Sequence, residues 1–387
     1  MYKKKIKILR IISTLNPKYG GPSKAIIDSS LVLSQKGFQV DILTCDRKTE
    51  IFFKSKRIKI INKGPSLFGT YWFNPKLFFW LKTNKNKYDS FIIHGIWQFK
   101  TLMARLLIKN KYYVFLHGQL DPFFETNFFK LIKKKFYWFL FEKQNLINVK
   151  SILLTSKGEM QTLSKTFVDT NNIKKKIVKY GIIEPKFRKQ ELKRKFYRKF
   201  QQLKNKDFFL FLGRFHEKKG CEIIIEAVKK LDKNFNDLIL MAGPLENNAY
   251  EKKIINLISE YNLDKKIIVS DAIFNDLKWA AIQESKAMLL PSHGENFGVS
   301  LVESMCCRKP VLTTNKVNIS KEILRFKAGY ISKDDVNSFK RIIKNFNSLN
   351  KSKIKKMSQN AHLCFKTNFN LNSDKDSLYN LIKNDIF

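Results

Sequence analysis

Two short segments carry side chains suited to a phosphorylated, hydroxyl-rich ligand. The first is Gly213-Arg214-Phe215-His216-Glu217-Lys218-Lys219-Gly220. Its arginine offers a planar fork for phosphate oxygens, its lysines add mobile point charges, and Gly213 lets the backbone turn tightly. The second is Pro291-Ser292-His293-Gly294-Glu295-Asn296-Phe297-Gly298, followed eight residues after Glu295 by Glu303. Carboxylates accept hydrogen bonds from sugar or ribose hydroxyls, and Gly294 and Gly298 allow close backbone approach. Each segment also has a plainer reading. A loop Arg or Lys is usually a solvated surface group, and an acid near a helix amino terminus can simply complement the helix dipole.

The surrounding elements favour a site. Gly213 follows an apolar strand, Asp207–Leu212, and precedes a helix from about Cys221 to Leu231 whose apolar face is Ile223, Ile224, Ala227, Val228 and Leu231. Likewise a strand over 286–291 leads through the acidic loop into a helix over Val299–Cys307. Carboxyl ends of parallel strands and helix amino termini are where α/β sheets bind phosphates. Further strands are expected at 238–242, 266–270 and 310–314. The first half shows the same alternation. A strand Ile6–Ile12 runs to Gly20-Gly21-Pro22-Ser23 and a helix Lys24–Gln35, with more strands at 38–44, 90–94, 113–117 and 151–155. Residues 186–206 hold ten Lys or Arg against one Glu, with no long apolar run. The parse is therefore two doubly wound parallel α/β domains, 1–181 and 182–369. A helical tail, 370–387, could join either one.

With these segments in place, the chain resembles the retaining glycosyltransferases of family 4. The resemblance rests on Gly213-Arg214, Lys219-Gly220, and Glu295 with Glu303, in the words FLGRFHEKKGCEIIIEAV and PSHGENFGVSLVESMCCRKPVLTTN. Gly20-Gly21, His117-Gly118 and Lys179-Tyr180-Gly181 extend it over nearly the whole chain. It implies a GT-B fold, two Rossmann-like domains facing each other across a cleft, with acceptor bound by the first and nucleotide sugar by the second. It also implies that Arg214 and Lys219 neutralise the departing diphosphate, and that Glu303 holds the ribose. Glu295 would orient the donor sugar, helped by the amides of Asn296, Phe297 and Gly298. Gly21 would offer a backbone N–H to the phosphates, and His117 would contact the transferred sugar. The anomeric configuration would be kept by front-face attack, with neither catalytic base nor metal. Two departures are Asn296, where glycine is usual and which can still adopt a left-handed backbone, and Tyr180, where asparagine is common. The segment His117-Gly118-Gln119-Leu120-Asp121-Pro122 resembles a subgroup associated with bacterial surface polysaccharides. Its Asp121 could meet the acceptor, as could His94 at the end of a strand. A turn-forming Asp-Pro and a structural histidine are the competing accounts. The one Asp-x-Asp, Asp374-Lys375-Asp376, reads as a solvated helix face.

Composition limits the remaining classes. The 387 residues contain 34 Phe, 13 Tyr and 5 Trp, too aromatic for disorder. Lys and Arg total 74 against 33 Asp and Glu, a net +41. Either a polyanionic partner or an AT-rich coding bias toward Lys, Asn, Ile and Phe accounts for that excess. Five cysteines in no metal-ligand spacing, with Cys306 and Cys307 expected to be buried, suggest a reducing compartment. No apolar run reaches the roughly 20 residues of a membrane span. The expected location is cytoplasmic, with the inner face of the cytoplasmic membrane open. Residues 128–150 interleave six Lys with seven aromatics. That pattern suits an anionic membrane surface and a polyprenyl-diphosphate-linked acceptor. A helix packing its aromatic face on the sheet is weighed slightly ahead. Three rival functions stay in view: a nucleic-acid-binding protein, which lacks helix-turn-helix, zinc or RNA-recognition signatures; a dehydrogenase, which lacks G-x-G-x-x-G after a strand; and a non-catalytic relative of the transferases.

Overall fold

The computed structural model describes the chain apart from residues 1–4, 20, 110, 122–127, 164, 186–188, 233–234, 374–376 and 387. The Asp374–Asp376 motif, Gly20 and Pro122 therefore lie outside the described residues. The chain forms two compact units, Met1–Ile183 with Leu371–Phe387, and Glu184–Asn370.

Among the described residues the first unit holds seven strands: β1 Lys7–Ile11, β2 Gln39–Thr44, β3 Ile58–Asn62, β4 Ser90–His94, β5 Tyr112–Phe115, β6 Ser151–Leu154 and β7 Lys175–Ile177. They pair in the order β3-β2-β1-β4-β5-β6-β7, every pairing parallel. Alternation along a strand sends successive side chains to opposite faces. Leu9 and Ile11 enter one core cluster with Leu43, Ile93 and Val114, while Ile12 joins Ile26, Ile27 and Ile42 in another. β3 and β7 are not apparent as apolar runs in the sequence. Each is an edge strand, buried on fewer sides, so its residues carry a weaker apolar signal. The described tail ends in a single helix, Leu378–Ile386, shorter than expected. Tyr379 on this helix packs its ring, tilted, against Phe38 at 5.0 Å.

The second unit holds β8 Phe208–Leu212, β9 Leu238–Ala242, β10 Ile267–Ser270, β11 Met288–Leu290, β12 Val311–Thr314 and β13 Gly329–Ser332. Their order is β10-β9-β8-β11-β12-β13, again all parallel. The chain winds outward from β8 in one direction, then returns to start again at β11 on its other side. That reversal leaves a crevice at the carboxyl ends of the two strands. The same reversal occurs between β1 and β4 in the first unit. The basic stretch before β8 is largely a helix, Lys189–Lys199, anchored by buried Leu192 and Phe196. Phe196 stacks on Phe208 at 5.6 Å. Its apolar residues recur every four positions, a helical spacing that the density of lysines obscures.

Candidate functional site

In the second unit, both motif loops issue from the two strands that flank the crevice. After β8, Gly213 donates its N–H to Ala242 O at 3.2 Å. Gly213 is not left-handed; among the glycines of these loops Gly220 (φ +63°) and Gly298 (φ +72°) are. A Cβ on Gly220 would lie 2.3 Å from the Pro291 carbonyl oxygen, so only glycine lets the first loop close onto the end of β11. His216 caps the turn Glu217–Lys219 by accepting from the Lys218 N–H at 3.1 Å. Burial and neighbouring Arg214 lower its pKa.

The loops then lock to each other. The His293 N–H donates to Lys218 O at 3.0 Å, and Lys219 Nζ forms an ion pair and hydrogen bond with Glu295. Burial alone would raise the Glu295 carboxyl; Lys219 and Lys218, with a backbone N–H at Gly298, outweigh it and hold it below the ordinary carboxylate range. The backbone of Glu295 is fixed from both sides, by Lys316 O at 3.1 Å and by the Asn318 N–H at 2.9 Å. His293 Nδ1 sits 3.2 Å from Asp334 and Nε2 sits 3.6 Å from Glu222. The Glu222 contact raises its pKa against the cost of burial, and Asp334 adds to the rise. Arg214 is exposed and, with His216, Glu217, Glu246, Asn248 and Tyr250, lines a hollow of about 320 Å³.

Glu303 lies on the helix Val299–Cys306, its side chain only 5% exposed and ion-paired with Lys278. Lys278 comes from the helix Asn275–Glu284, 25 positions earlier, and nothing local to the sequence marks it. Asn296 keeps an ordinary backbone rather than a left-handed one, and its Oδ1 accepts from Asn318 Nδ2 at 3.3 Å. Phe297 turns its ring inward against Phe369 at 5.5 Å. Cys306 is buried but Cys307 is only half-buried.

In the first unit, Gly21 opens the helix Gly21–Gln35 three residues earlier than expected. Its N–H is thus among the first amides of a helix, which have no partner within the helix itself. His117 follows β5 with φ +51°, a costly conformation for histidine, and Gly118 follows at +72°. The Gly118 N–H donates to Glu159 at 2.9 Å, and the same carboxylate takes the N–H and hydroxyl of Thr155. Asp121 closes a turn by donating its N–H to Gly118 O at 3.1 Å. His94 is 3% exposed, with Nε2 bonded to Arg10 and Nδ1 to His117. That leaves no nitrogen for an acceptor, and His94 belongs to the interior. Sequence reasoning also passed over Arg10 and Lys100. Arg10 had a signal, since it is a charge flanked on both sides by the apolar pairs Ile8-Leu9 and Ile11-Ile12. Lys100 is buried and donates to Ser13 Oγ at 2.9 Å and to Gln98. Burial lowers its pKa to about 7, partly offset by Cys45 and Glu142.

The helical stretch Phe128–Ile147 buries Trp138, Glu142, Asn145 and Leu146. The reading weighed ahead holds for Trp138 and for Tyr137, which packs edge-on against Tyr71 at 5.9 Å, but not for three of the phenylalanines. Phe129, Phe136 and Phe139 are 77%, 67% and 78% exposed, because Trp138 and its neighbours already fill the inward stripe. Among the described residues no group of His, Cys, Asp and Glu could hold a metal ion. Nor, among the described residues, is any helix long and apolar enough to cross a membrane.

Comparison with known proteins adds three findings. Residues 193–384 match the family model of glycosyl transferases group 1. The chain is 33% identical over 108 residues to a glycosyltransferase of Methanocaldococcus jannaschii, covering 28% of each chain. It is 25% identical over 230 residues to the O-antigen chain mannosyltransferase RfbU of Salmonella typhimurium, covering 59% of each. The chain thus spans between about a quarter and three fifths of the length of these relatives. Sucrose-phosphate synthase of Thermosynechococcus elongatus superposes with a TM-score of 0.77 over 99% of this chain and 98% of that one, at 16% identity. The fold is GT-B.

Proposed function

We propose, from the GT-B fold and the group 1 match over residues 193–384, that the protein is a nucleotide-sugar-dependent glycosyltransferase that retains anomeric configuration. The observation that carries the reading is the joining of the two motif loops by Lys219 and Glu295 at the β8–β11 crevice. In this reading Lys219 bridges two tasks. It holds the carboxylate that orients the donor sugar, and with Arg214 it stabilises charge growing on the departing diphosphate. Glu303 accepts from the ribose hydroxyls, and the amides of Asn296 to Gly298 receive sugar or phosphate oxygens. Gly21 gives a backbone N–H to phosphate, and His117 contacts the transferred sugar. The acceptor hydroxyl attacks the anomeric carbon on the face that the diphosphate leaves, and a phosphate oxygen takes its proton. No metal enters the scheme.

A donor carrying UDP or GDP and a lipid-linked saccharide acceptor of a bacterial surface polysaccharide complete the proposal. The likeness to an O-antigen chain mannosyltransferase supports the pathway. The exposed Phe129, Phe136 and Phe139 beside Lys133 and Lys135 support peripheral contact with an anionic membrane. The test is a mass-spectrometric transfer screen with UDP-, GDP- and ADP-sugars, membrane lipid extract and EDTA, alongside Arg214→Ala and Glu295→Ala. One sugar transferred by the wild type and by neither variant is the expected result. Absence of both transfer and calorimetric nucleotide binding would remove the donor-site assignment. It would also return a basic nucleic-acid-binding protein to consideration.

A further inference from the structure

Arg10 occupies a position on β1 where alternation asks for an apolar side chain, and it is 2% exposed. Its Nη1 donates to Ile26 O at 3.2 Å, Ser29 Oγ at 2.6 Å and Ser30 Oγ at 2.9 Å, all on the helix that Gly21 opens. Its Nε donates to His94 Nε2 at 3.1 Å. Burial lowers the guanidinium pKa only to about 9, so it is charged at neutral pH. A guanidinium has donors and no acceptor. His94 Nε2 must therefore be bare, and the proton of a neutral His94 sits on Nδ1. That nitrogen lies 2.9 Å from His117 Nε2, which in turn must accept. By the same exclusion, His117 keeps its proton on Nδ1. No other assignment satisfies both hydrogen bonds.

The surroundings act in the same direction. The two imidazoles stack on each other at 5.2 Å and on Phe115 at 5.3 and 5.5 Å, and Tyr180 meets His117 edge-on at 5.8 Å. The groups facing the pair are Arg10, which is cationic, and Lys100, whose charged form acts in the same direction, while burial holds the Tyr180 phenol neutral. Burial and these groups depress both imidazoles, His117 to about 3. His117 is nonetheless half-exposed, on a turn pinned by Gly118 and Glu159.

We infer that Arg10 and His94 are positioning residues that fix His117 as a neutral ring whose Nδ1–H is a hydrogen-bond donor, suited to a sugar hydroxyl or phosphate oxygen and unable to serve as a general base. The tautomer assignment stands on the first unit alone. Its catalytic consequence rests on the proposal that His117 contacts the transferred sugar.

The test is long-range ¹H–¹⁵N correlation on full-length, ¹⁵N-labelled protein, with the five histidines assigned by single substitution. Two rings, His94 and His117, should show the proton on Nδ1 and stay neutral from about pH 5.5 to 8.5. His94→Gln supplies an amide oxygen for Arg10 and an N–H for His117, so it should preserve the His117 tautomer. His94→Phe keeps the stacking and removes the relay, so His117 should sample both tautomers. In a transfer assay kcat should fall about tenfold or more in the Phe variant and recover within about threefold in the Gln variant, with KM little changed. A proton on His117 Nε2 in the wild type overturns the inference, and so does an unchanged His117 tautomer in His94→Phe. The wild-type spectrum decides even if a variant does not fold. Failure of the glycosyltransferase reading would appear separately, as absent transfer beside an intact Nδ1–H signature.

Discussion

Replacing Gly220 by alanine should damage the second unit more than replacing Gly298, although both glycines are left-handed. At φ +63° and +72° the two pay a similar conformational penalty, about 1–2 kcal/mol for an L-residue. They differ in what the new methyl group meets. At Gly298 the nearest atom is Leu301 Cδ1 at 3.1 Å, the end of a side chain that can turn aside. At Gly220 it is the Pro291 carbonyl oxygen at 2.3 Å, and real Cβ atoms essentially never approach closer than 3.0 Å. Relief requires the backbone of one motif loop to move off the other by about 0.7 Å or more, which strains the junction at Lys218 and His293. Overpacking of this kind adds about 1–3 kcal/mol. Gly298→Ala should therefore cost about 1–2 kcal/mol and Gly220→Ala about 2–5 kcal/mol. Urea unfolding followed by tryptophan fluorescence and circular dichroism gives both values, and calorimetric titration with UDP and GDP gives nucleotide affinity. Affinity should fall further for Gly220→Ala, because its displacement separates Lys219 from Glu295. Equal destabilisation, or a larger cost at Gly298, would refute the claim that glycine at 220 is demanded by contact between the loops.

Three further outcomes are expected. His293 has a raised folded pKa, so its stabilising contribution is full below the unfolded value near 6.5 and is lost as pH rises through the folded pKa. The stability difference between wild type and His293→Gln should shrink between about pH 5.5 and pH 8.5 in urea titrations, and a difference that grows would contradict the Glu222 and Asp334 contacts. Lys278→Met leaves the Glu303 carboxylate buried without its cation and should cost about 1–3 kcal/mol. Adding Glu303→Gln should recover much of that cost, and additive losses in the double-mutant cycle would mean that the pair is not coupled. Replacing Phe129, Phe136 and Phe139 together by serine should lower binding to anionic vesicles by about tenfold or more in sedimentation assays, since each ring would otherwise bury apolar area in the interface. The melting temperature should stay nearly unchanged because the rings are exposed in the folded chain. Unchanged vesicle binding would refute the membrane contact.

Much of this molecule is legible along the chain. The apolar runs at 90–94, 208–212 and 238–242 coincide with β4, β8 and β9 because strand periodicity and burial on both faces are local properties. The loops carrying Arg214, Lys219 and Glu295 could be placed at strand ends for the same reason. Edge strands β3 and β7 were hidden, as was the helix Lys189–Lys199, since partial burial and a lysine-rich surface dilute the apolar pattern. Partners across long separations could not be read at all. Lys219 meets Glu295 across 76 positions, and Arg10 meets His94 across 84, only because the strand order sets β8 beside β11 and β1 beside β4. Residue types along the chain therefore determined which side chains could bind phosphate and sugar. The parallel order of the strands decided which of them meet, because proximity across a sheet depends on pairing between strands and not on spacing along one.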